Sequence, residues 1–381
     1  MRILHTIHSA DPRSGGPIEA VRQLSLVHSA LGHTMEVASL DDPAAGFVSQ
    51  SKDFPIHALG PGRTHYGYSS RLIPWLRENE SRFDAFVVHG LWQFHGFATR
   101  SALVGKRPYF VYPHGMLDPY FKRAYPLKHL KKWLFWPWGD YRVLRDAKSV
   151  FFTCEEERLL ARQSFWLYRC HETVAGLGTA EPPTNVEEQR RAFLAAVPQV
   201  ADRRFLLFLG RIHVKKGCDL LVEAFAKTAA GTDHLLVMAG PDQTGWKADL
   251  VRRATELGIS DRIIWPGMLS GDTKWGAFRC AEAFVLSSHQ ENFGLAVAEA
   301  LAAGCPVLIS NKVNIWREIE ADRAGLVADD TASATTSMLG QWLGLTDEDR
   351  TAFRDRARHC FQTRFEIGQV ARHTLTLLQA S

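Results

Sequence analysis

The chain has 381 residues, more than one hydrophobic core usually serves, so two domains are expected. Its 46% hydrophobic and 23% charged residues are the balance of a soluble globular protein. The net charge of +4 suits an anionic partner such as a nucleotide or a membrane surface, and is too mild to point to nucleic acid.

Six cysteines, Cys154, Cys170, Cys218, Cys280, Cys305 and Cys360, show no ligand-like spacing and read as reduced core residues of a cytoplasmic protein. The stretch Arg2–His8 is too short and too polar to be the apolar part of a signal peptide. No apolar run approaches the roughly 20 residues of a membrane span, so any membrane contact is expected to be peripheral.

In chain order, Arg2–Ile7 reads as a buried strand, and Gly15-Gly16 opens a helix with Pro17 in its first turn. Ala20, Val21, Leu24, Val27 and Leu31 recur at helical spacing before Gly32 ends it, and Met35–Leu40 completes a βαβ start. The glycine pair either admits a ligand phosphate to backbone N–H groups or serves a tight turn. A helix is expected from Ser70 to about Glu78, then a strand Phe83–Val88 that runs into His89-Gly-Leu-Trp92-Gln-Phe-His95. In open α/β sheets ligands bind beyond the carboxyl ends of strands, so His89, Trp92 and His95 are candidate acceptor contacts as well as candidate packing residues. The next strand, Pro108–Tyr112, delivers Pro113-His114-Gly115.

From Pro119 to Gly139 there is no acidic residue. Lys122, Arg123, Lys128, Lys131 and Lys132 can meet anionic headgroups while Trp133, Phe135, Trp136 and Trp138 enter the interface; the alternative is aromatics buried in the domain beneath solvated lysines. Thr179–Asn185 is a proline-containing link and the expected domain boundary, with domain one covering 1–180 and the tail 366–381, and domain two 186–365.

The second domain begins with the apolar strand Arg204–Leu209, followed by Gly210-Arg211 and, four residues on, Lys216-Gly217. Two cations at a strand end suit a diphosphate. Strands over His234–Asp242, ending in Gly-Pro, and over Arg262–Leu269 follow, then a helix Lys274–Ala281. The apolar Ala283–Leu286 gives way to Ser287-Ser-His-Gln-Glu291-Asn292-Phe293-Gly294-Leu295, an alanine-rich helix through Glu299, Gly304 and a strand Val307–Ile309. Strand, loop and helix N-terminus in that order make an anion site, and two carboxylates frame it, suited to accept hydrogen bonds from sugar hydroxyls.

Glu291, seven residues and Glu299, with Phe293-Gly294 after the first and Ala-Ala-Gly-Cys-Pro-Val after the second, resemble the donor motif of family-four retaining glycosyltransferases. The resemblance implies an α/β GT-B fold, two Rossmann-like domains facing across a cleft with the last helix crossing back to the first. It implies a nucleotide-diphosphate sugar as donor, with Glu291 on the transferred sugar and Glu299 on the ribose. Arg211 and Lys216 match the family's diphosphate clamp, Gly15 and Gly16 its phosphate loop, and His114 the histidine beside the sugar, where it would support positive charge at the anomeric carbon. Met268 and Leu269 fall where the family contacts the base; Asn292, Phe293, Gly294 and Leu295 fall in the donor loop. Asn314-Ile-Trp departs from the family's usual glycine-rich approach to Glu318. The expected activity is a retaining hexosyl transfer to a saccharide or lipid-linked saccharide, with no cofactor and no metal, because the clamp is Arg and Lys rather than an Asp-x-Asp cation site. Rivals are an epimerase of the same fold and a non-catalytic nucleotide-sugar- or membrane-binding protein.

Overall fold

The computed structural model describes residues 1–380 and divides into two α/β units. The first comprises Met1–Ala180 together with the C-terminal helix Ile367–Gln379; the second runs from Glu181 to Glu366.

The first unit is built on seven parallel strands: β1 (Arg2–Ile7), β2 (Thr34–Ser39), β3 (Ile56–Ala58), β4 (Ala85–His89), β5 (Tyr109–Tyr112), β6 (Ser149–Phe152) and β7 (Glu172–Val174). Their order is β3-β2-β1-β4-β5-β6-β7, with Leu4 in register with Glu36 on one side and Phe86 on the other. Both faces are covered, which is why β4 and β5 are buried along their whole length, and apolar up to His89 at the end of β4, rather than alternating. One core gathers Leu4, Phe86, Val88, Phe94, Val111 and Trp136; the other gathers Ile3, Ile7, Val21, Leu24, Phe110 and Phe151.

The tail helix belongs to this second core through Ile367, Val370, Ala371, Leu375 and Leu378, an apolar stripe at helical spacing. A π-helical turn Phe361–Phe365 ends the preceding helix, Glu366 is extended, and the Ile367 N–H donates to the Thr179 carbonyl.

The second unit carries β8 (Phe205–Leu209), β9 (Leu235–Ala239), β10 (Ile263–Gly267), β11 (Ala283–Leu286), β12 (Val307–Ser310) and β13 (Gly325–Ala328), all parallel in the order β10-β9-β8-β11-β12-β13. In both sheets the chain reverses direction of growth beside the first strand, at β1/β4 and at β8/β11. The loops leaving these strands form the crevice where doubly wound sheets bind ligands.

No helix among the described residues is long and apolar enough to cross a membrane, and all six cysteines are free thiols.

Candidate functional site

In the second unit the loop after β8 and the loop after β11 lie in direct contact. The His289 N–H donates to the Lys215 carbonyl at 2.8 Å, and a Cβ on Gly217 would stand 2.0 Å from the Ser287 carbonyl oxygen. Gly217 has φ +61°, so both its conformation and its neighbour require glycine. This approach brings Lys216 onto the carboxylate of Glu291, an ion pair whose side chains are 17% and 20% exposed. Arg211 is exposed and has no ion-pair or hydrogen-bond partner among the described residues. The Glu291 loop is strung on β12's exit: its N–H donates to the Lys312 carbonyl and its carbonyl accepts from the Asn314 N–H at 3.0 Å. The departure at Asn314 is therefore a buried support of the Glu291 backbone.

Gly294, at φ +76°, turns the chain into the helix Leu295–Ala302, which carries Glu299. Glu299 accepts from the Lys274 Nζ at 2.8 Å; Lys274, on the helix Gly271–Cys280, is a site residue the sequence did not single out. Met268 and Leu269 leave β10 just before that helix, Met268 exposed and Leu269 half-buried. Asn292 and Leu295 are half-buried on the loop. Phe293 corrects the expectation of a donor contact: its side chain is buried, with its ring against Phe365, and it anchors the loop from beneath.

In the first unit, Gly15 (φ +96°) caps the helix Gly16–Ala30. A Cβ on Gly16 would meet nothing within 4 Å, so packing does not demand that glycine. His114 follows β5 with φ +50°, a left-handed conformation rare for a side chain of this size. The turn is held by buried Glu157, whose carboxylate accepts from the Gly115 N–H at 2.5 Å and from the Thr153 N–H at 2.7 Å. Glu157 is a second residue missed as a site support; it stands in the acid-rich first turn Glu155-Glu156-Glu157 of a helix, a pattern that by itself signals only a favourable helix dipole.

His114 is half-buried, and its Nε2 lies 2.8 Å from the Nδ1 of His89, whose Nε2 lies 2.7 Å from the Nδ1 of His5. Burial pushes His114 down to about 4 and His5 to about 3; His89, buried and beside His5, goes well below its usual value. The expectation that His89 and His95 touch an acceptor is corrected. Both are buried, and the His95 Nε2 donates to the His89 carbonyl at 2.8 Å.

Trp92, also left-handed at φ +70°, is half-buried; its N–H donates to the Oδ1 of Asp140, a buried carboxyl raised to about 6 by burial. The Lys132 ammonium sits 4.4 Å over the Trp92 ring and 5.9 Å from that of Phe121. These three, with His65, Gln93 and Met116, line a cavity of about 390 Å³.

The acid-free stretch forms helices Tyr120–Ala124 and Pro126–Phe135. Lys122, Arg123, Lys128, Lys131 and Trp133 are exposed. Two members of the expected membrane face are corrected. Trp136 is 0% exposed, stacked on Phe165 at 4.3 Å with its indole N–H on the Leu167 carbonyl, and Lys132 faces the cavity. The outward face instead carries Leu127 (77% exposed), Leu130 (55%) and Leu134 (63%).

Among the described residues no three His, Cys, Asp or Glu side chains are placed to hold a metal. The run Asp347-Glu348-Asp349 has Asp-x-Asp spacing but is the first turn of a helix: Asp349 accepts from Thr346, and Asp347 pairs with Arg204 and Arg350.

Residues 189–359 match the family model described as Glycosyl transferases group 1, and residues 15–175 match the Glycosyl transferase 4-like domain. The chain belongs to the group 1 glycosyltransferases. Among curated relatives of this family, the D-inositol 3-phosphate glycosyltransferase of Mycobacterium bovis is 31% identical over 176 residues, 45% of this chain. The matched stretch is 35% of that relative's length, about a third. Two solved structures share the GT-B fold with this group 1 chain. Sucrose-phosphate synthase from Thermosynechococcus elongatus has a TM-score of 0.76 and 20% identity, covering 100% of this chain and 98% of its own. Anabaena HepE in complex with UDP and glucose has a TM-score of 0.76 and 15% identity, covering all of both chains.

Proposed function

We propose that this protein transfers a hexosyl unit, with retention of anomeric configuration and without a metal, from a nucleotide-diphosphate sugar to an acceptor hydroxyl. The observation that carries the proposal is the meeting of Lys216 with Glu291 at the β8/β11 switch point, five residues after Arg211, which has no partner among the described residues. Cation and carboxylate there match the two halves of a sugar diphosphate: Arg211 and Lys216 take the charge that grows on the departing diphosphate, and Glu291 accepts from sugar hydroxyls. Glu299 serves the ribose, and the chain around Met268 and Leu269 the base. In the transfer, the bond from the anomeric carbon to the phosphate oxygen breaks as the acceptor oxygen bonds to the same face. The acceptor's proton passes to the departing phosphate, so no strong protein base is required. Nucleotide binding in the Anabaena relative supports the donor class.

The acceptor is a saccharide, lipid-linked in the fuller proposal, as in synthesis of a surface polysaccharide or glycoconjugate at the inner face of the plasma membrane. The cavity of Trp92, Phe121 and Lys132 supports a saccharide with aromatic walls. The outward leucines flanked by Lys128 and Lys131 support a peripheral attachment to anionic lipid, where each basic residue adds about 1 kcal/mol. Replacing Leu127, Leu130 and Leu134 by serine should abolish co-sedimentation with phosphatidylglycerol vesicles. Unchanged sedimentation removes the membrane from the proposal.

Transfer itself is tested by incubating the protein with a panel of nucleotide sugars and saccharide acceptors, following the anomer first formed by proton NMR. Retention in one donor class is the expected result. An inverted product refutes the retaining mechanism, and C2 or C4 epimerisation of the donor without transfer refutes the transferase.

A further inference from the structure

We propose that His5 and His89 are positioning residues for His114: the three imidazoles form a neutral hydrogen-bonded row that holds His114 as its Nδ1–H tautomer, presenting a donor to a ligand oxygen. The proposed function enters only in naming that oxygen, a hydroxyl or phosphate oxygen of the sugar nucleotide.

The row runs from His5 Nδ1 to His89 Nε2 (2.7 Å) and from His89 Nδ1 to His114 Nε2 (2.8 Å). A neutral imidazole has one N–H and one lone pair, so the protons of the row have only two consistent arrangements. If they point towards His5, its Nε2 must carry a proton; if they point towards His114, that atom is bare and the His114 Nδ1 carries one. His5 Nε2 is buried and has no hydrogen-bond partner among the described residues. The two arrangements therefore differ in what is stranded there, an N–H or a lone pair, and buried orphan N–H groups are the rarer of the two in proteins.

The neighbouring His95 makes the same choice visibly. Its Nε2 faces a carbonyl, which only accepts, so the proton is on Nε2 and the atom left buried without a partner is the bare Nδ1. Charge on the row is opposed by burial at each of its members. The His114 Nδ1 has no hydrogen-bond partner among the described residues, and the residue is only partly buried. Tyr112 stacks on both His89 and His114 at 5.5 Å, with interplanar angles of 10° and 18°, which keeps the two rings nearly parallel. An Nδ1–H meets an oxygen lone pair and not an electron-poor carbon. This differs from the sequence expectation that His114 supports positive charge at the anomeric carbon.

The test is ring-nitrogen NMR on the full chain labelled with 15N-histidine at pH 7.5, with His114 assigned by the signals that vanish in His114→Asn. Proton on Nδ1 of His114, His89 and His5 is expected. Proton on Nε2 of His114, or on both nitrogens, overturns the proposal from the wild-type spectrum alone. His89→Phe leaves no donor for the His114 Nε2. It should move His114 at least partly to the Nε2–H form and lower turnover of the nucleotide sugar at least tenfold. His89→Asn places an amide N–H near the lost Nδ1 and should restore the Nδ1–H signature with at least fivefold of the lost rate. Equal loss in both variants at wild-type melting temperature makes the row merely structural and overturns it. A row confirmed by NMR in a protein that turns over no nucleotide sugar keeps the tautomer and removes the proposed function.

Discussion

Lys216→Ala is the sharpest perturbation of the proposed clamp, and its size follows from the ion pair already present. The ammonium rests on Glu291, with both side chains roughly four-fifths covered. A phosphate oxygen that takes the ammonium gains a charge-assisted bond of about 1.5–3 kcal/mol. It loses about 1 kcal/mol of this to the displaced carboxylate, the upper range for a pair that still sees solvent. The net of about 0.5–2 kcal/mol makes the variant bind a nucleoside diphosphate roughly 2- to 30-fold more weakly. At a concentration 100 times its dissociation constant the ligand stabilises the wild type by about 2.7 kcal/mol, and the same concentration should give the variant only about 0.9–2.2 kcal/mol.

Thermal shift against a panel of nucleoside diphosphates reads this directly, with Lys215→Ala as the control that should respond like wild type. Glu291→Gln carries the opposite sign for the bare diphosphate. It frees the ammonium, and should tighten binding by up to about fivefold, from the same ~1 kcal/mol. Its sugar contact is lost, so the nucleotide sugar should not share the gain. Equal shifts in Lys216→Ala and wild type refute the clamp; a Glu291→Gln that weakens the bare diphosphate as much as Lys216→Ala does refutes the competition between them.

Gly217→Ala forces a Cβ into the Ser287 carbonyl at a left-handed φ, and should cost over 1 kcal/mol of stability with loss of nucleotide binding. Gly16→Ala meets open space, so melting should change by less than about 2 °C, and a wild-type response to nucleotide sugar would remove Gly16 from the donor site. Asp140→Asn should raise the melting temperature at pH 7.5. The folded carboxyl, raised to about 6, holds its proton while the unfolded one releases it near 3.8, so stability falls as pH rises through that window and stays lower above it. The penalty, up to about 3 kcal/mol, is partly offset in the variant by an amide N–H left where Oδ2 has no partner. A variant no more stable at pH 7.5 than at pH 4, relative to wild type, would reject this. Buried His5, His28 and His95 have the reverse sign. Each binds a proton more readily when unfolded, so stability is lost as pH falls from about 6.5 towards 4, by up to about 2 kcal/mol apiece at pH 5. Denaturant midpoints that do not move between pH 7 and 5 would contradict it.

The two parallel sheets and the loops at their switch points were legible because the signals are local. A strand such as Leu206–Phe208 is apolar throughout, and Arg211, Lys216 and Glu291 each stand within a few residues of a strand end. Their meeting was legible only through resemblance. What brings Lys216 to Glu291 is the contact of Gly217 with Ser287, seventy residues away, and nothing in either loop alone announces it. The same limit hid Lys274, whose carboxylate partner Glu299 lies 25 residues on, and Glu157, which reaches back 42 residues to Gly115.

The acid-free stretch shows the limit most plainly, because composition marks an amphipathic segment without saying which side is packed. Aromatic rings looked like the interface because they are large, yet size is also what makes them useful in a core. Trp136 fills the space beside Phe165 and finds a carbonyl for its indole N–H, both supplied by residues some thirty positions later. Lys132 turns inward for a related reason: Trp92 and Phe121 offer their ring faces, and Asp140 lies close enough to favour its charge. Of the helix Pro126–Phe135 only His129 and Lys132 are half-buried, the rest being exposed, and the side opposite Lys132 lies outermost. Leu127, Leu130 and Leu134, spaced by three and four residues, occupy that side together. With Trp136 turned to the domain, any attachment through this helix is read first from the leucines, with the exposed Trp133 one turn from Leu130 beside them and the buried Trp136 excluded.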